Sequence, residues 1–442
     1  MTTNNPITGR RSRGFLALLI ALLLVAAACG SDSSSDQTTT VPASDATTTA
    51  PEEPTELVPV EMALNNPILN PIVSALWIGK FFGWYEEEGI ALSDPVGSQG
   101  VGDTTQRIAA RRVDFGPPPP SIILSAAAEG RALPVVSIYN WRRTGQYQLA
   151  VPVGSDITTL ADVEGKTIGV SSLGDEGVFY AKAVLRELGL DTDNPDIIAV
   201  GAAGQAAETL NQGQVDILAL PGAQYALLET LGVAVELLPQ PEFAASIFGN
   251  HIVTHPDFLA ESPDIVAGYL RALTKSTLFF IENPGASIRI SYEMYPETVP
   301  SGLTVDEAVA RSLVTAPAMI ATLNFDQKAC QQFGCHDQAE WEAYAEYVNV
   351  AVDDVTVFYT NDFIDAANDF DQVAFAEFAR NYVFGEGQTT TAVNRSWPVS
   401  LRATWVSWTH QQAWRKGVSL GGRSLFLRNN KLPRGGNAQW HG

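Results

Sequence analysis

The chain has 442 residues, 45% of them hydrophobic, and a formal net charge of −22 at neutral pH. Residues 30–394 carry 49 acidic against 16 basic side chains, which argues against nucleic acid or an anionic membrane as the body's partner. The length accommodates two lobes, each with its own core.

Arg10, Arg11 and Arg13 precede the apolar run FLALLIALLLVAAA, which is too short for a comfortable membrane span and ends in small residues before Cys29. Residues 1–29 therefore resemble a bacterial lipoprotein signal with Cys29 as the acylated residue, although Ala26 stands where Leu is usual. Residues 30–59 hold Ser, Thr, Ala, Pro and acids with almost no large apolar side chain, so they read as a disordered tether. Together these segments predict an extracytoplasmic protein anchored to the membrane by lipid.

The body begins with a strand over Val60–Leu64, ending at Asn65-Asn66-Pro67. Asn70 caps and Pro71 starts a helix through Trp77 to Phe82, broken at Gly83. IALSDPVGSQGVGDTTQRIAARRVDFGPPPP reads as strand, glycine loop, helix and a short strand Val113–Phe115 that runs into a proline turn. The run LPVVSIYNWRRTGQYQLAVPVGSDI holds two strands around a polar, aromatic segment, where the chain crosses between lobes. Thr167–Val170 then reads as a buried parallel strand, SSLGDEG as a polar turn, and Val178, Ala181, Val184, Leu185 and Leu188 as one face of a helix stopped by Gly189. The segment AGQAAETLNQGQVDILALPG echoes the earlier unit as helix, strand Val215–Leu218 and a Pro221-Gly222 turn, so Asp114 and Asp216 correspond. SIFGNHIVTHPDFL is the return crossing, a strong amphipathic helix follows over Asp264–Glu282, and 306–382 is mainly helical. The tail 391–442 is basic and Trp-rich with no clear periodicity, and reads either as a membrane-surface segment or as a non-native terminus.

GWYEEEGI, QRIAARRVDFG, LADVEGKTIGVSSLG, NQGQVDILALPG and HIVTHPDFLAESPDIVAGYLRAL, in this order, resemble the periplasmic solute-binding proteins of the thiamine-precursor, nitrate, sulfonate and taurine group, which feed ABC importers. The resemblance implies an α/β, two-lobed periplasmic-binding-protein fold of type II with two crossing strands and a ligand cleft between the lobes. Residues 60–145 and 246–390 form lobe I in this reading, and 146–245 form lobe II. It further implies a monomer that captures a small-molecule solute and delivers it to an ABC transporter permease, without a cofactor.

Strand ends in open α/β sheets converge on such a crevice. Asn66, Gln99, Gly116, Pro117, Trp141, Ser171, Ser172, Asp175, Gln224 and Tyr225 are the expected ligand-binding residues. Trp77, at helical spacing from Val73 and Phe81, fits a core position. If Arg142 or Arg143 points into the cleft, a sulfonate or carboxylate can be gripped bidentately; if both are solvated, a heterocycle stacked on aromatics fits better. Asp175, at the helix start, either competes with an anionic ligand or caps the helix.

Cys330 and Cys335 fit a small disulfide loop in an exported protein; with His336 they make only a weak zinc set, so no metal is expected. His251 and His255 lack the glutamate of a zinc hydrolase, and no nucleophile elbow or P-loop occurs. The resembling group includes a pyrimidine-synthesis branch with a Cys- and His-rich constellation. Its absence here predicts a binding protein or a sensor rather than an enzyme.

Overall fold

The computed structural model describes residues 56–192, 196–326 and 328–385; Cys29, nearly all of the tether and the tail 391–442 lie outside the described residues. The first lobe is built on β1 (Val58–Val60), β2 (Ala63–Leu64), β3 (Ile90–Leu92), β4 (Val96–Gly97), β5 (Phe115–Gly116) and β6 (Val136–Tyr139). The second carries β7 (Tyr147–Pro152), β8 (Ile168–Val170), β9 (Ile197–Ala199), β10 (Ile217–Pro221) and β11 (Val235–Leu237), and β12 (Ile252–Thr254) returns to the first.

In the second lobe the strand order is β11-β7-β10-β8-β9, with β8 parallel to β9 and β10, and β7 antiparallel to β10 and β11. The central parallel strand β8 is covered on both faces, with Ile168, Gly169 and Val170 all buried, whereas β9 at the sheet edge is not. In the first lobe β1 pairs with β3 and β2 with β4, both parallel, while β12 lies antiparallel between β5 and β6.

The chain crosses from β6 to β7 through residues 140–146 and returns from β11 to β12 through 238–251. These crossings are bonded to each other. Arg142 donates its backbone N–H to Asn250 O at 2.9 Å, and Gly249 N donates to Arg142 O at 2.8 Å. A connection made of two mutually bonded segments resists shear while leaving rotation between the lobes available.

The first core gathers Trp77, Phe115, Tyr269, Phe279 and Phe280, all fully buried. Phe115 and Tyr269 stack at 3.9 Å, which fixes the helix Pro263–Glu282 against β5. The stretch expected as one helix from Pro71 to Phe82 is instead a 3-10 turn, Pro71–Leu76, followed by the helix Ile78–Phe82, because Trp77 leaves helical geometry. Its ring stays in the core.

The second core combines Tyr180, Val184 and Leu185 of the helix Glu176–Glu187 with Trp341, Tyr344 and Tyr347 of the helix Gln338–Tyr347. Residues assigned from sequence to lobe I thus pack on the second sheet. The sequence marked 306–382 only as mainly helical, which carries no information about which lobe covers a given helix. The Pro221-Gly222 turn is also corrected: a helix, Gly222–Thr230, starts directly after β10.

Candidate functional site: a polar cleft lined from both lobes

A cavity of about 450 Å³ opens where the strand ends of the two lobes face each other. Asn65, Asn66, Ile68, Pro117 and Ser121 line it from the first lobe; Ser172, Asp175, Glu176, Phe179 and Gln224 line it from the second; Trp141, Arg142, Gln146 and Asn250 belong to the crossings.

The first-lobe wall is held by the Pro117 carbonyl, which accepts Asn65 Nδ2 and Asn250 Nδ2, each at 2.7 Å. A proline-rich turn suits this position because it brings carbonyl acceptors without N–H groups that also need partners. On the opposite wall, Asp175 caps its helix by accepting Gly177 N at 3.4 Å and also accepts the Tyr147 hydroxyl. Gly177 permits this close seating, since a Cβ there would meet the Ala219 carbonyl oxygen at 2.8 Å. Glu176 follows, its carboxyl taking Ser121 Oγ at 2.6 Å and Tyr344 OH at 2.7 Å. Ser121 belongs to the first-lobe helix Pro120–Ala128, so this bond spans the cleft. Burial pushes the Glu176 carboxyl above the usual range, with the Ser121 and Tyr344 hydroxyls opposing.

The two neighbouring arginines part company. Arg143 is buried and turns away, donating to Gln332 O at 2.7 Å and Cys330 O at 3.0 Å in the loop closed by the Cys330–Cys335 disulfide. Arg142 lines the cavity, with its guanidinium carbon 5.3 Å from the Trp141 ring centroid and its Nη1 donating to Gln146 Oε1. Burial lowers its pKa to about 10, so it remains a cation at neutral pH. Two histidines lie deeper: Ser137 Oγ is 2.8 Å from His251 Nδ1 and 3.4 Å from His336 Nε2. Burial drives both imidazoles toward the neutral form, His336 to about 3, which suits a structural pair. Among the described residues no cluster of His, Cys, Asp and Glu has metal-binding geometry.

Of the residues expected at the site, Asn66, Pro117, Trp141, Ser172, Asp175 and Gln224 lie on the cavity wall. Four lie elsewhere. Gln99 is exposed and donates its backbone N–H to Asp103; Gly116 is buried in β5 against Thr104. Ser171 stands behind Ser172, accepting Gln224 Nε2 at 3.0 Å. Tyr225 turns its hydroxyl into the fold, donating toward Gln148 O and Leu218 O and accepting Leu220 N. Adjacent residues of a helix diverge by about 100°, so Gln224 and Tyr225 cannot both face the cleft. Glu176, Tyr147, Ser121, Asn65, Gln146 and Asn250 were not among the expected residues. Their only sequence signal was position: each lies within a few residues of a strand end or a crossing.

The two lobes, the paired crossings and the cleft define an α/β periplasmic-binding-protein fold of type II. The model of the NMT1/THI5-like family matches residues 70–287. A structure from Bordetella bronchiseptica RB50 is similar at TM-score 0.52 and 19% identity, covering 71% of this chain and 98% of the other. A putative sulfonate ABC transporter component, the periplasmic sulfonate-binding protein from Methylobacillus flagellatus KT, is similar at TM-score 0.50 and 19% identity, over 71% of this chain and 94% of the other. A curated relative, the 4-amino-5-hydroxymethyl-2-methylpyrimidine phosphate synthase of Schizosaccharomyces pombe (strain 972), is 26% identical over 235 residues, which is 50% of this chain and 65% of the relative. The chain thus spans less than two thirds of that relative's length. The exclusion of catalysis drawn from the sequence is corrected here, because the curated relatives carry an enzyme's name. The absence of a Cys- and His-rich constellation was too narrow a criterion: the cleft holds the carboxyls of Asp175 and Glu176, and carboxyls serve in acid–base chemistry without Cys or His.

Proposed function

We propose that this protein captures a small polar solute between its lobes outside the cytoplasm, tethered through a lipid on Cys29, and presents it as a monomer to an ABC importer. The observation that carries the reading is the cavity of about 450 Å³ with polar side chains from both lobes and both crossings, a size and lining suited to one small molecule. The lobes divide near residues 146 and 245, with 338–358 returning to the second lobe. Sulfonates, nitrate and pyrimidine or thiamine precursors are the candidate solutes. Closure about the bonded crossings supplies the signal that the importer reads.

Thermal-shift screening of the protein against these solutes tests the reading, because a ligand that binds only the folded state raises the melting temperature. A shift with at least one solute is expected; silence across the panel overturns solute capture. The curated relatives favour a second reading, in which the same cleft makes a pyrimidine phosphate. Mass spectrometry of reaction mixtures for that phosphate decides it.

A further inference from the structure

The cleft has two poles of opposite charge. At one, the start of the helix Glu176–Glu187 is the kind of place where an anion ordinarily binds. The chain has filled it with its own acids: Asp175 caps Gly177 N, Glu176 follows, and the Tyr147, Ser121 and Tyr344 hydroxyls all donate to these two carboxyls. An anionic ligand group brought here meets like charge at close range. At the other pole, Arg142 has no carboxylate within ion-pair distance among the described residues. Its Nη1 is engaged by Gln146, no bond engages its Nη2 among those residues, and the Trp141 ring supports the guanidinium from one face. A half-buried cation without a counter-ion is an unmet electrostatic demand, and a ligand oxyanion satisfies it bidentately. Both poles line one cavity, so a single solute spans them.

Resting on the solute-capture reading, we infer that the cleft selects an amphoteric solute, with an ammonium or similar N–H donor against Asp175 and Glu176 and a carboxylate or sulfonate against Arg142. Simple oxyanions satisfy one pole only and leave the other desolvated without a partner on closure.

Calorimetric titration of the intact protein tests this with matched probes: 3-aminopropanesulfonate against propanesulfonate and propylamine, and 4-aminobutyrate against butyrate. Each amphoteric probe is expected to bind at least about tenfold more tightly than either analogue lacking one group, a gap of about 1.4 kcal/mol. Glu176→Gln and Asp175→Asn should remove the preference for the amino group without weakening propanesulfonate. Arg142→Gln should weaken the probes that carry an acid group and leave propylamine unchanged. Asp175→Asn keeps a capping oxygen, so the fold survives. Propanesulfonate binding as tightly as its amino analogue overturns the inference and leaves solute capture standing. The inference also falls if neither series binds; a shift elsewhere in the thermal screen then preserves solute capture, and silence there removes both.

Discussion

Asp114 and Asp216 occupy equivalent places in the two lobes. Each carboxylate accepts a backbone N–H at 2.8 Å, from Glu61 and Thr167 respectively, and each residue's own N–H returns to the same partner's carbonyl at 2.9 and 3.0 Å. The next residues, Phe115 and Ile217, bond that same carbonyl, both at 3.2 Å. The aspartate thus locks the entry of a strand onto its neighbour twice in one chain, and the Val-Asp echo in the sequence has a common structural cause.

Replacing either aspartate by Ala leaves a backbone N–H without its acceptor and should cost about 1–2 kcal/mol. Asp114→Asn and Asp216→Asn, which keep an oxygen in place, should recover most of this. Denaturant unfolding of the variants measures the difference, and equal losses for Ala and Asn would contradict the pairing.

Gly177→Val should separate the helix Glu176–Glu187 from β10. A Cβ at this position lies 2.8 Å from the Ala219 carbonyl oxygen, which belongs to a buried strand and cannot rotate aside. A loss of about 1–3 kcal/mol is expected. The same shift moves Asp175 and Glu176, so solute affinity should fall as well, which titration of the refolded variant reads directly.

The cross-cleft carboxyl of Glu176 makes stability depend on pH in a stated direction. Because burial raises its folded pKa, the protonated form favours the folded state. That contribution is fully present below the unfolded value of about 4.3 and is lost as pH rises through the folded pKa. Glu176→Gln lacks this loss, so its melting temperature should gain on the wild type as pH rises from 4 toward neutrality. A constant gap across that range would show that Glu176 titrates normally.

Trp341→Ala tests where the late helix Gln338–Tyr347 belongs. The indole is fully buried in the second core, stacked against Tyr359 at 5.3 Å and 5.3 Å from Phe248. Its removal should cost about 3–5 kcal/mol. In hydrogen exchange the loss of protection should reach β8 and the helix Glu176–Glu187, since these share that core. Loss confined to the first lobe would refute the assignment.

What the sequence determined by itself was local. The strand ending at Val170, the amphipathic helix after it and the long helix ending at Glu282 were all legible, because each depends on side-chain period and on groups a few residues apart, while Asp175 was left open between cap and competitor of an anion. The two crossings were legible for the same reason, as apolar runs interrupted by polar segments. Only the tertiary structure decided between Arg142 and Arg143, because the choice rests on carbonyls of Cys330 and Gln332 nearly two hundred residues away, which hold Arg143 and leave Arg142 to the cleft. It also brought Tyr344 and Ser121 onto Glu176, turning a helix-start acid into a bond across the lobes. A residue's neighbours along the chain set its backbone, but its electrostatic environment is set by whatever folds against it, and no periodicity encodes that partner.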